Sequence, residues 1–239
     1  MKSSSSISIE GHLKRLGLFS DLEPEFIARI ASKTLPIHLA KGESLHLVGD
    51  PPLQGFHILL QGVIKLSFVS TAGAEKILGV VLPVQSFGEE VLFSKVPQRV
   101  CSQALKAAHL LYVPSEPVFE AFSQSRTLRN SMFSTFAQKI GGVLSEISDS
   151  ALLSGRQRVI KYLLREAKHQ QQENPSATFK LPVVQAAIAS LLDLSPEHFC
   201  RVLHDLNVEG IVQVQRSRVH IPCVKTLAAE VPLGEMFVP

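Results

Sequence analysis

One segment near the C-terminal end, from Leu181 to Ile221, has the residue types and spacing best suited to hydrogen-bonding chemistry. Within it, Ser195 is a favourable helix N-cap and Pro196 suits the first helical position. Glu197 then places a carboxylate at the positive end of the helix dipole, and Gly210 is suited to end the helix as a C′ residue. The residues expected to point into the core from this helix are Phe199, Leu203 and Leu206.

A second helix is predicted before the capped one, because Val183–Leu191 is apolar and only Leu192–Leu194 separates the two. We expect Pro182 to occupy its first position. Two helices joined in this way form a helix-turn-helix, whose second helix enters the major groove of DNA. There Glu197 would accept from cytosine N4, and Arg201 would donate a bidentate pair to guanine O6 and N7. The DNA-contacting residues predicted on this helix are Ser195, Pro196, Glu197, His198, Cys200 and Arg201.

A β-hairpin is predicted directly after this helix. The runs Ile211–Gln215 and Val219–Ile221 alternate in polarity around Arg216 and Arg218. Such a hairpin is the wing of a winged helix, and arginines near its tip can reach the phosphate backbone. Residues 156–225 carry ten Lys and Arg against six Asp and Glu, which favours double-stranded DNA as the partner.

The middle of the chain predicts one long helix. From Leu128 to Ala151 the apolar positions recur every three or four residues, which forms a single stripe. Such a helix can pack both on its own domain and on a second copy of itself, so a homodimer is predicted. Gly141–Gly142 leaves a helix break or a close approach open, and Ser154–Gly155 is expected to be a hinge. The predicted dimerisation residues are Leu128, Met132, Phe136, Ile140, Val143 and Ile147.

Short apolar runs broken by glycine fill residues 35–113, and runs of this length predict a compact antiparallel barrel or sandwich. Strands are expected at Gly55–Leu60, Val63–Val69, Ile77–Leu82 and His109–Val113. The predicted fold class is therefore α+β. The predicted division is a β domain at 1–125, a dimerisation helix at 126–153 and a DNA-binding domain at 154–239.

Two sets of motifs follow one another along the chain. The first set is Lys41-Gly42-Glu43, Gly49-Asp50, Gln61–Leu66 and Phe87-Gly88-Glu89, and the second is Arg158-Val159-Ile160, Leu194–Arg201 and Gly210–Val212. In this order and spacing they resemble the CRP/FNR family of bacterial transcription regulators. The resemblance implies an N-terminal β-roll sensor (a cyclic-nucleotide-binding-like jelly roll), a long dimerisation helix and a C-terminal winged helix-turn-helix.

The same resemblance implies a function. It implies a regulator, and not an enzyme, that binds a palindromic promoter site as a homodimer under the control of a small-molecule or gas effector. RNA polymerase would be a further partner of an activator. The family's Glu-x-x-(Ser or Gly)-Arg pattern falls on Glu197, Cys200 and Arg201, with Cys200 in place of the small residue, and implies a TGA-containing half-site. The form from Pro196 to Arg201 is most similar to nitric-oxide-responsive, haem-linked members, so nitric oxide or redox state is the predicted signal.

The resemblance also assigns an effector site. In cAMP-binding members a Gly-Glu pair and an Arg-Ser pair hold the ribose and the cyclic phosphate. Val100 replaces the serine hydroxyl here, which disfavours a cyclic nucleotide relative to haem. His46 and His57 are the preferred haem ligands among the histidines of the sensor. The predicted effector-binding residues are Gly88, Glu89, Arg99, Val100, Val143 and Leu144.

Composition and motifs disfavour several other classes. No run approaches the ~18 apolar residues of a membrane helix, and Met1–Ser8 lacks the apolar core of a signal peptide, so the cytoplasm is expected. Cys101, Cys200 and Cys223 are far apart, which disfavours disulfides and an iron–sulfur cluster. No motif of an enzyme family is visible. Two alternatives stay open: a cyclic-nucleotide-responsive regulator of the same fold, and a β-roll regulatory subunit that does not bind DNA.

Overall fold

The computed structural model describes residues 8–93, 97–169 and 175–231 of the 239-residue chain. The chain divides into two compact units, one ending at Gly142 and the other beginning at Val143. The boundary lies inside a helix, so one element contributes residues to both units. Within the described ranges, no helix combines the length and the apolar character that crossing a bilayer requires.

The first unit packs helices on an antiparallel sheet, which confirms the predicted N-terminal β-roll. Its strands are β1 (Leu35–Leu39), β2 (Ser44–His46), β3 (Gly55–Val69), β4 (Glu75–Val81), β5 (Ser86–Phe87) and β6 (Cys101–Pro114). Its helices are α1 (Ile9–Lys14), α2 (Pro24–Lys33), α3 (Ser115–Gln124) and the first part of α4 (Arg126–Leu152), and a 3-10 turn covers Glu89–Leu92. The strand order is β1-β6-β3-β4, with β2 also paired to β6 and β5 to β3.

Strand β3 is one long strand, whereas the sequence predicted two strands separated at Gln61 and Gly62. It pairs antiparallel with β6 over most of its length, with register shifts around Gln61 and Val63. Gly62 takes φ +98°, and a Cβ there would lie 2.5 Å from the carbonyl oxygen of Ala107. Glycine therefore lets the strand continue through an irregular point where any side chain would collide with β6.

The first turns of α4 belong to the core of the first unit. Leu128 and Met132 are 1% and 2% exposed and pack in an apolar cluster with side chains of α2 and α3. Phe136 is partly buried against the same cluster. The prediction that Leu128 and Met132 form a dimer interface is therefore wrong, because their own unit already covers them.

Helix α4 is continuous through Gly141 and Gly142. Its 27 residues make a rod of roughly 40 Å at 1.5 Å per residue. A Cβ at either glycine would meet nothing within 4 Å, so packing inside this chain does not require glycine at these positions. From Ile140 onward the apolar stripe of the helix loses its cover. The stripe residues that are more than half exposed are Ile140, Val143, Leu144 and Ile147.

The second unit contains the predicted winged helix-turn-helix. Its elements are α5 (Gly155–His169), β7 (Ala177–Lys180), α6 (Gln185–Leu191), α7 (Pro196–Val208), β8 (Gln213–Gln215), β9 (Arg218–Ile221) and α8 (Val224–Ala229). The sheet order is β7-β9-β8, and the sequence analysis did not predict β7. Helix α6 begins at Gln185 with Val184 as its N-cap, so Pro182 does not take the first helical position.

Polar contacts hold the last turns of α4 against the other elements of the second unit. The ammonium of Lys161 donates to Asp149 Oδ1 at 2.6 Å and to Ser145 Oγ at 3.2 Å. The hydroxyl of Ser150 donates to Asp193 Oδ2 at 3.0 Å. These contacts join the last turns of α4 to α5 and to the connection between α6 and α7.

Arg158 reinforces that attachment from α5. One guanidinium nitrogen lies 3.2 Å from the carbonyl oxygen of Ser150 and 3.4 Å from that of Leu153, and the other lies 3.4 Å from the carbonyl oxygen of Asp193. A cation is favourable beside the unsatisfied carbonyls at a helix C-terminus. The side chain thus ties the end of α4 to the turn that precedes α7.

The expected hinge at Ser154–Gly155 is a tightly packed helix start. Ser154 Oγ accepts from the backbone N–H of Gln157, and Gln157 Oε1 accepts from the backbone N–H of Ser154 at 2.9 Å, which is a capping box. A Cβ on Gly155 would lie 2.9 Å from side-chain atoms of both Leu194 and His198. The helices are interrupted where the sequence predicts it, and Gly155 allows α5 to approach α7 closely. That Ser154–Gly155 acts as a hinge stays a prediction.

A buried histidine lies among aromatic rings inside the first unit. His57 is 1% exposed, and its ring centre lies 5.0 Å from that of His46 and 5.3 Å from those of Phe87 and Tyr112. Burial, and secondarily the charge of His46, lowers the pKa of His57 from 6.5 to about 3. The folded state therefore holds this imidazole neutral.

Replacing His57 by phenylalanine should flatten the acid dependence of stability. Because the folded pKa lies below the unfolded value of 6.5, the contribution of His57 to stability is fully present above pH 6.5. That contribution to the free energy of unfolding falls by about 1.4 kcal/mol per pH unit as the pH decreases toward 3. In urea unfolding at pH 7.5 and 5.5, we expect His57→Phe to lose about 1.4 kcal/mol less than the wild type.

The matched control is His109→Gln, because His109 is an exposed histidine on β6. It should keep the acid dependence of the wild type. Equal pH dependence in His57→Phe and in the wild type would show that His57 is not held neutral by the fold.

Candidate functional site

The connection between α6 and α7 sets the start of α7. Asp193 takes a left-handed φ of +54°, and the backbone N–H of Leu194 donates to the carbonyl of Ala189 at 2.9 Å. Ser195 then caps α7, because its Oγ accepts from the backbone N–H of His198 at 3.2 Å. Pro196 follows in the first turn, as the sequence predicts. The helix start is thus set by local geometry that the sequence already encodes.

Helix α7 has one buried side and one exposed side. Phe199, Val202, Leu203 and Leu206 lie in the core of the second unit. The side chains of Glu197 and Arg201 are exposed, one turn apart on the opposite side. We call this exposed side, with Glu197 and Arg201, the reading face. The other exposed residues on or beside it are Ser195, Pro196, His198, Cys200 and His204. The structure therefore brings the predicted residues of α7 onto the surface at the start of the helix.

The charges on the reading face are suited to base recognition. The carboxylate of Glu197 accepts hydrogen bonds from its own backbone N–H and from the Ser195 hydroxyl, and both lower its pKa. The carboxylate therefore stays ionised and acts as a hydrogen-bond acceptor. Arg201 makes no ion pair with any described residue. Its guanidinium is therefore free to donate outward.

Two residues of the face have contacts inside the unit. The Cys200 thiol is free and exposed, and its Sγ donates to Gln185 Oε1 of α6 at 3.1 Å. The ring of His198 lies against the Cα of Gly155, at the edge of the face that bears Glu197. The sequence analysis missed the contribution of Gln185, because no local pattern places α6 beside Cys200.

One side-chain hydrogen bond holds the wing hairpin against α7. Asn207 Oδ1 of α7 accepts from the backbone N–H of Val214 at 2.9 Å and so positions β8. Arg216 takes a left-handed φ of +55° in the two-residue turn of the hairpin, and Arg216 and Arg218 are both exposed. The structure places both arginines where the sequence predicts, at the tip of the wing. The role of Asn207 was missed because it depends on a tertiary contact.

Among the predicted effector residues of the first unit, Glu89 is a buried carboxylate. Gly88 takes φ +90°, and Glu89 is 1% exposed with its Oε2 2.6 Å from the ammonium of Lys139 on α4. Glu89 Oε1 is buried and has no hydrogen-bond partner among the described residues. Arg99 is exposed and makes no ion pair with Glu89, and Val100 is half-buried. Lys139 is the residue that the sequence analysis missed here, because the pair joins positions fifty residues apart.

Val143 and Leu144, the remaining predicted effector residues, are exposed on α4 and lie on the other side of the unit boundary. Their part in effector binding stays a prediction.

The residues proposed for haem do not fit it. The rings of His46, Phe87 and Tyr112 lie within 5.3 Å of the ring centre of His57, so a porphyrin plane has no room beside that imidazole. Within the described ranges, no group of three or more His, Cys, Asp or Glu is placed to hold a metal ion.

Two family models match separate parts of the chain. The model described as a Crp-like helix-turn-helix domain matches residues 157–230. The model described as a cyclic nucleotide-binding domain matches residues 36–125. The first match covers the helix pair and the wing, and the second covers the β-roll with Glu89.

Relatives match over most of the chain. The "CRP-like cAMP-activated global transcriptional regulator" of Mycobacterium tuberculosis is 22% identical over 217 residues, which cover 90% of this chain and 96% of that protein. The "Anaerobic regulatory protein" of Pasteurella multocida is 22% identical over 203 residues, which cover 84% of this chain and 73% of that protein.

Solved structures share the fold. FixK2 from Bradyrhizobium japonicum superimposes with a TM-score of 0.71 at 17% identity. The superposition covers 84% of this chain and 98% of the FixK2 chain. The c-di-GMP responsive regulator CLP of Xanthomonas campestris gives a TM-score of 0.66 at 16% identity, covering 83% of this chain and 99% of its own. At such identities the likeness shows the architecture only.

Proposed function

Because the chain belongs to the CRP/FNR family of DNA-binding transcription regulators, we propose that it binds a palindromic promoter site as a homodimer under effector control. The observation that carries the proposal is the exposed face of α7, with ionised Glu197 and unpaired Arg201 one turn apart. A helix that enters the major groove needs such a face, with acceptors and donors of fixed position. The wing arginines add contacts to the phosphate backbone.

Base readout is assigned to two side chains. Glu197 accepts from cytosine N4 and Arg201 donates a bidentate pair to guanine O6 and N7, which suits a TGA-containing half-site. Cys200, which directly precedes Arg201 on the helix, presents a compact, weakly polar thiol. Ser195, Pro196 and His198 border the phosphate backbone in this proposal and add position more than sequence information.

A second copy of the chain is the proposed cover for the exposed half of α4. Ile140, Val143, Leu144 and Ile147 are more than half exposed on one helix, and a soluble monomer rarely leaves such a stripe uncovered. The same stripe on a second copy makes a self-complementary interface with two-fold symmetry. Two recognition helices then lie about 34 Å apart, one turn of the duplex, which matches a palindrome.

The proposed effector is a small anion that also offers a hydroxyl group. Glu89 Oε1 is a buried acceptor without a partner among the described residues, so a ligand hydroxyl would satisfy it. Lys139 and Arg99 supply the positive charge. Nucleotides combine both features, and the names of two relatives mention cAMP and c-di-GMP. Haem-linked sensing of nitric oxide has no support in the surroundings of His46 and His57.

The proposed switch acts through the last turns of α4. Lys161, Arg158 and Ser150 join those turns to the second unit, so a change in α4 beyond Val143 would move α7 with it. The effector must bind one arrangement better than the other for any shift to follow. The measurement is the DNA affinity with and without cAMP or c-di-GMP. A dissociation constant that neither nucleotide changes would exclude both as effectors.

RNA polymerase is the further partner if the bound protein activates transcription.

Redox control is a second candidate, favoured by one residue. Cys200 is a free, exposed thiol on the reading face, and oxidation to a sulfenic or sulfinic acid would add bulk and charge where bases are read. This would couple oxidant exposure to DNA affinity without any bound cofactor.

Replacing Arg201 by alanine should weaken binding to a palindrome of two TGA-containing half-sites by about 1–3 kcal/mol per half-site. The loss should fall on one base pair, because a bidentate pair to guanine distinguishes that base from the others. Fluorescence anisotropy with duplexes altered one base pair at a time measures it. Arg201→Lys is the control that keeps the charge and removes the bidentate geometry, and it should lose the same base preference. Equal weakening on every duplex would contradict base readout.

The double substitution Ile140→Glu/Ile147→Glu should convert a dimer into a monomer, because it places carboxylates opposite each other across the symmetric stripe. Sedimentation velocity gives the oligomeric state, and anisotropy should show the loss of binding to the palindrome. Leu152→Glu is the matched control: this leucine is 78% exposed on the same helix but about 120–140° around it from the two isoleucines. A dimer that survives in the double variant would rule out this interface.

Peroxide should weaken DNA binding by the wild type and leave Cys200→Ser unaffected. The comparison separates oxidation on the reading face from oxidation of Cys101 or Cys223, which both variants retain. Anisotropy before and after treatment, with mass spectrometry to locate the modified cysteine, measures the effect. Equal weakening of both proteins would remove Cys200 from the redox proposal.

A further inference from the structure

Two exposed histidines lie opposite each other on neighbouring strands of the first unit. His38 of β1 is the register partner of His109 of β6 in an antiparallel pairing. Directly opposed residues of such a pair project from the same face of the sheet. The adjacent residues Leu39, Ala108 and Leu110 are buried, so the two imidazoles lie on the solvent side. Their ring centres are 4.3 Å apart, and the rings meet edge to face at 88°.

The spacing of these two rings is close to that of two imidazoles bound to one metal ion. A histidine nitrogen lies about 2.0–2.1 Å from the zinc ion that it binds. Two such ligands at an angle of roughly 90–110° have ring centres roughly 4.5–5 Å apart. The observed separation of 4.3 Å therefore needs only a small opening, with a side-chain rotation that brings one nitrogen of each ring to a common point. Because both side chains are exposed, this rotation displaces no core residue.

The ring nitrogens of this pair are available to an external ligand. Apart from their contact with each other, His38 and His109 make no hydrogen bond or ion pair with a described residue. Another adjacent histidine pair of the same unit, His46 and His57, is less suitable. His57 is 1% exposed and enclosed by aromatic rings, so a cation bound there would lose its water.

We propose that His38 and His109 form a surface binding site for a late first-row divalent metal ion, of the class of Ni²⁺, Cu²⁺ and Zn²⁺. Imidazole is a favoured ligand of these ions, whereas Mg²⁺ and Ca²⁺ prefer oxygen ligands. The described chain supplies no third His, Cys, Asp or Glu at this position. Water therefore fills the remaining coordination positions, which are open to solvent.

A metal ion at this site joins two strands of the sheet. Strand β1 is the first in the order β1-β6-β3-β4, and it pairs with β6. The unfolded chain does not hold the two imidazoles together, so the ion binds the folded state preferentially and raises the unfolding temperature. The inference does not depend on DNA binding, because both histidines belong to the first unit.

The experiment titrates the metal-free full chain, without a histidine tag, with NiCl₂ at pH 7.5 in a calorimeter. The wild type should bind one Ni²⁺ per chain at this site. His38→Gln and His109→Gln should each weaken that binding by about tenfold or more, because the second imidazole no longer acts at a high effective concentration. NiCl₂ should raise the thermal unfolding temperature of the wild type and leave that of either variant unchanged. MgCl₂ should have no such effect on any of the three proteins.

The matched control is His204→Gln, because His204 is an exposed histidine of α7 one turn from the free thiol of Cys200. These two residues are the alternative ligand pair, and the control should keep the wild-type affinity for Ni²⁺. Circular dichroism without metal should be the same in all four proteins, which separates a lost ligand from a lost fold. Wild-type affinity in both His38→Gln and His109→Gln, or a loss confined to His204→Gln, would overturn the site.

Discussion

The division of α7 into a buried and an exposed side is the constraint on which the DNA-binding unit depends. Phe199, Leu203 and Leu206 are buried, and removing each such side chain from water contributes about 1.5–3 kcal/mol. Turning the helix by one residue would rotate it by about 100° and expose part of this apolar surface. Core packing therefore sets the direction in which Glu197 and Arg201 point, so base readout follows from the hydrophobic effect as much as from the polar residues themselves.

Helix α4 carries one apolar stripe, of which only the first part is covered by other elements of the described chain. Its first part, with Leu128 and Met132, completes the core of the first unit, whereas the apolar residues Ile140, Val143, Leu144 and Ile147 are more than half exposed. The physical difference is whether other elements of the same chain reach that part of the helix. Helices α2 and α3 pack on the first turns, and the described chain supplies no such cover further along. The exposed part is consequently the surface that a second copy would bury.

Polar contacts decide which parts of the chain respond together. Arg158, Lys161 and Ser150 join the end of α4 to α5 and to the turn before α7, and Gly155 lets α5 approach that turn. In the first unit, Lys139 of α4 meets the buried carboxylate of Glu89. The same helix thus contacts the candidate effector residue with one part and the DNA-binding unit with another.

The sequence by itself determined the features that depend on neighbouring residues. The Ser195 cap, the amphipathic division of α7 and the hairpin around Arg216 arise from local hydrogen bonds and helical or strand periodicity, so they could be read directly from the chain. Tertiary structure alone decided the pairing of β7 with β9, the ion pair of Lys139 with Glu89 and the burial of Leu128. Each of these joins residues far apart in sequence, and periodicity states which side of an element is apolar without stating what covers it. That is the physical reason why the capped, amphipathic α7 could be predicted from the sequence, whereas the burial of the first part of the α4 stripe and the packing of rings around His57 could not.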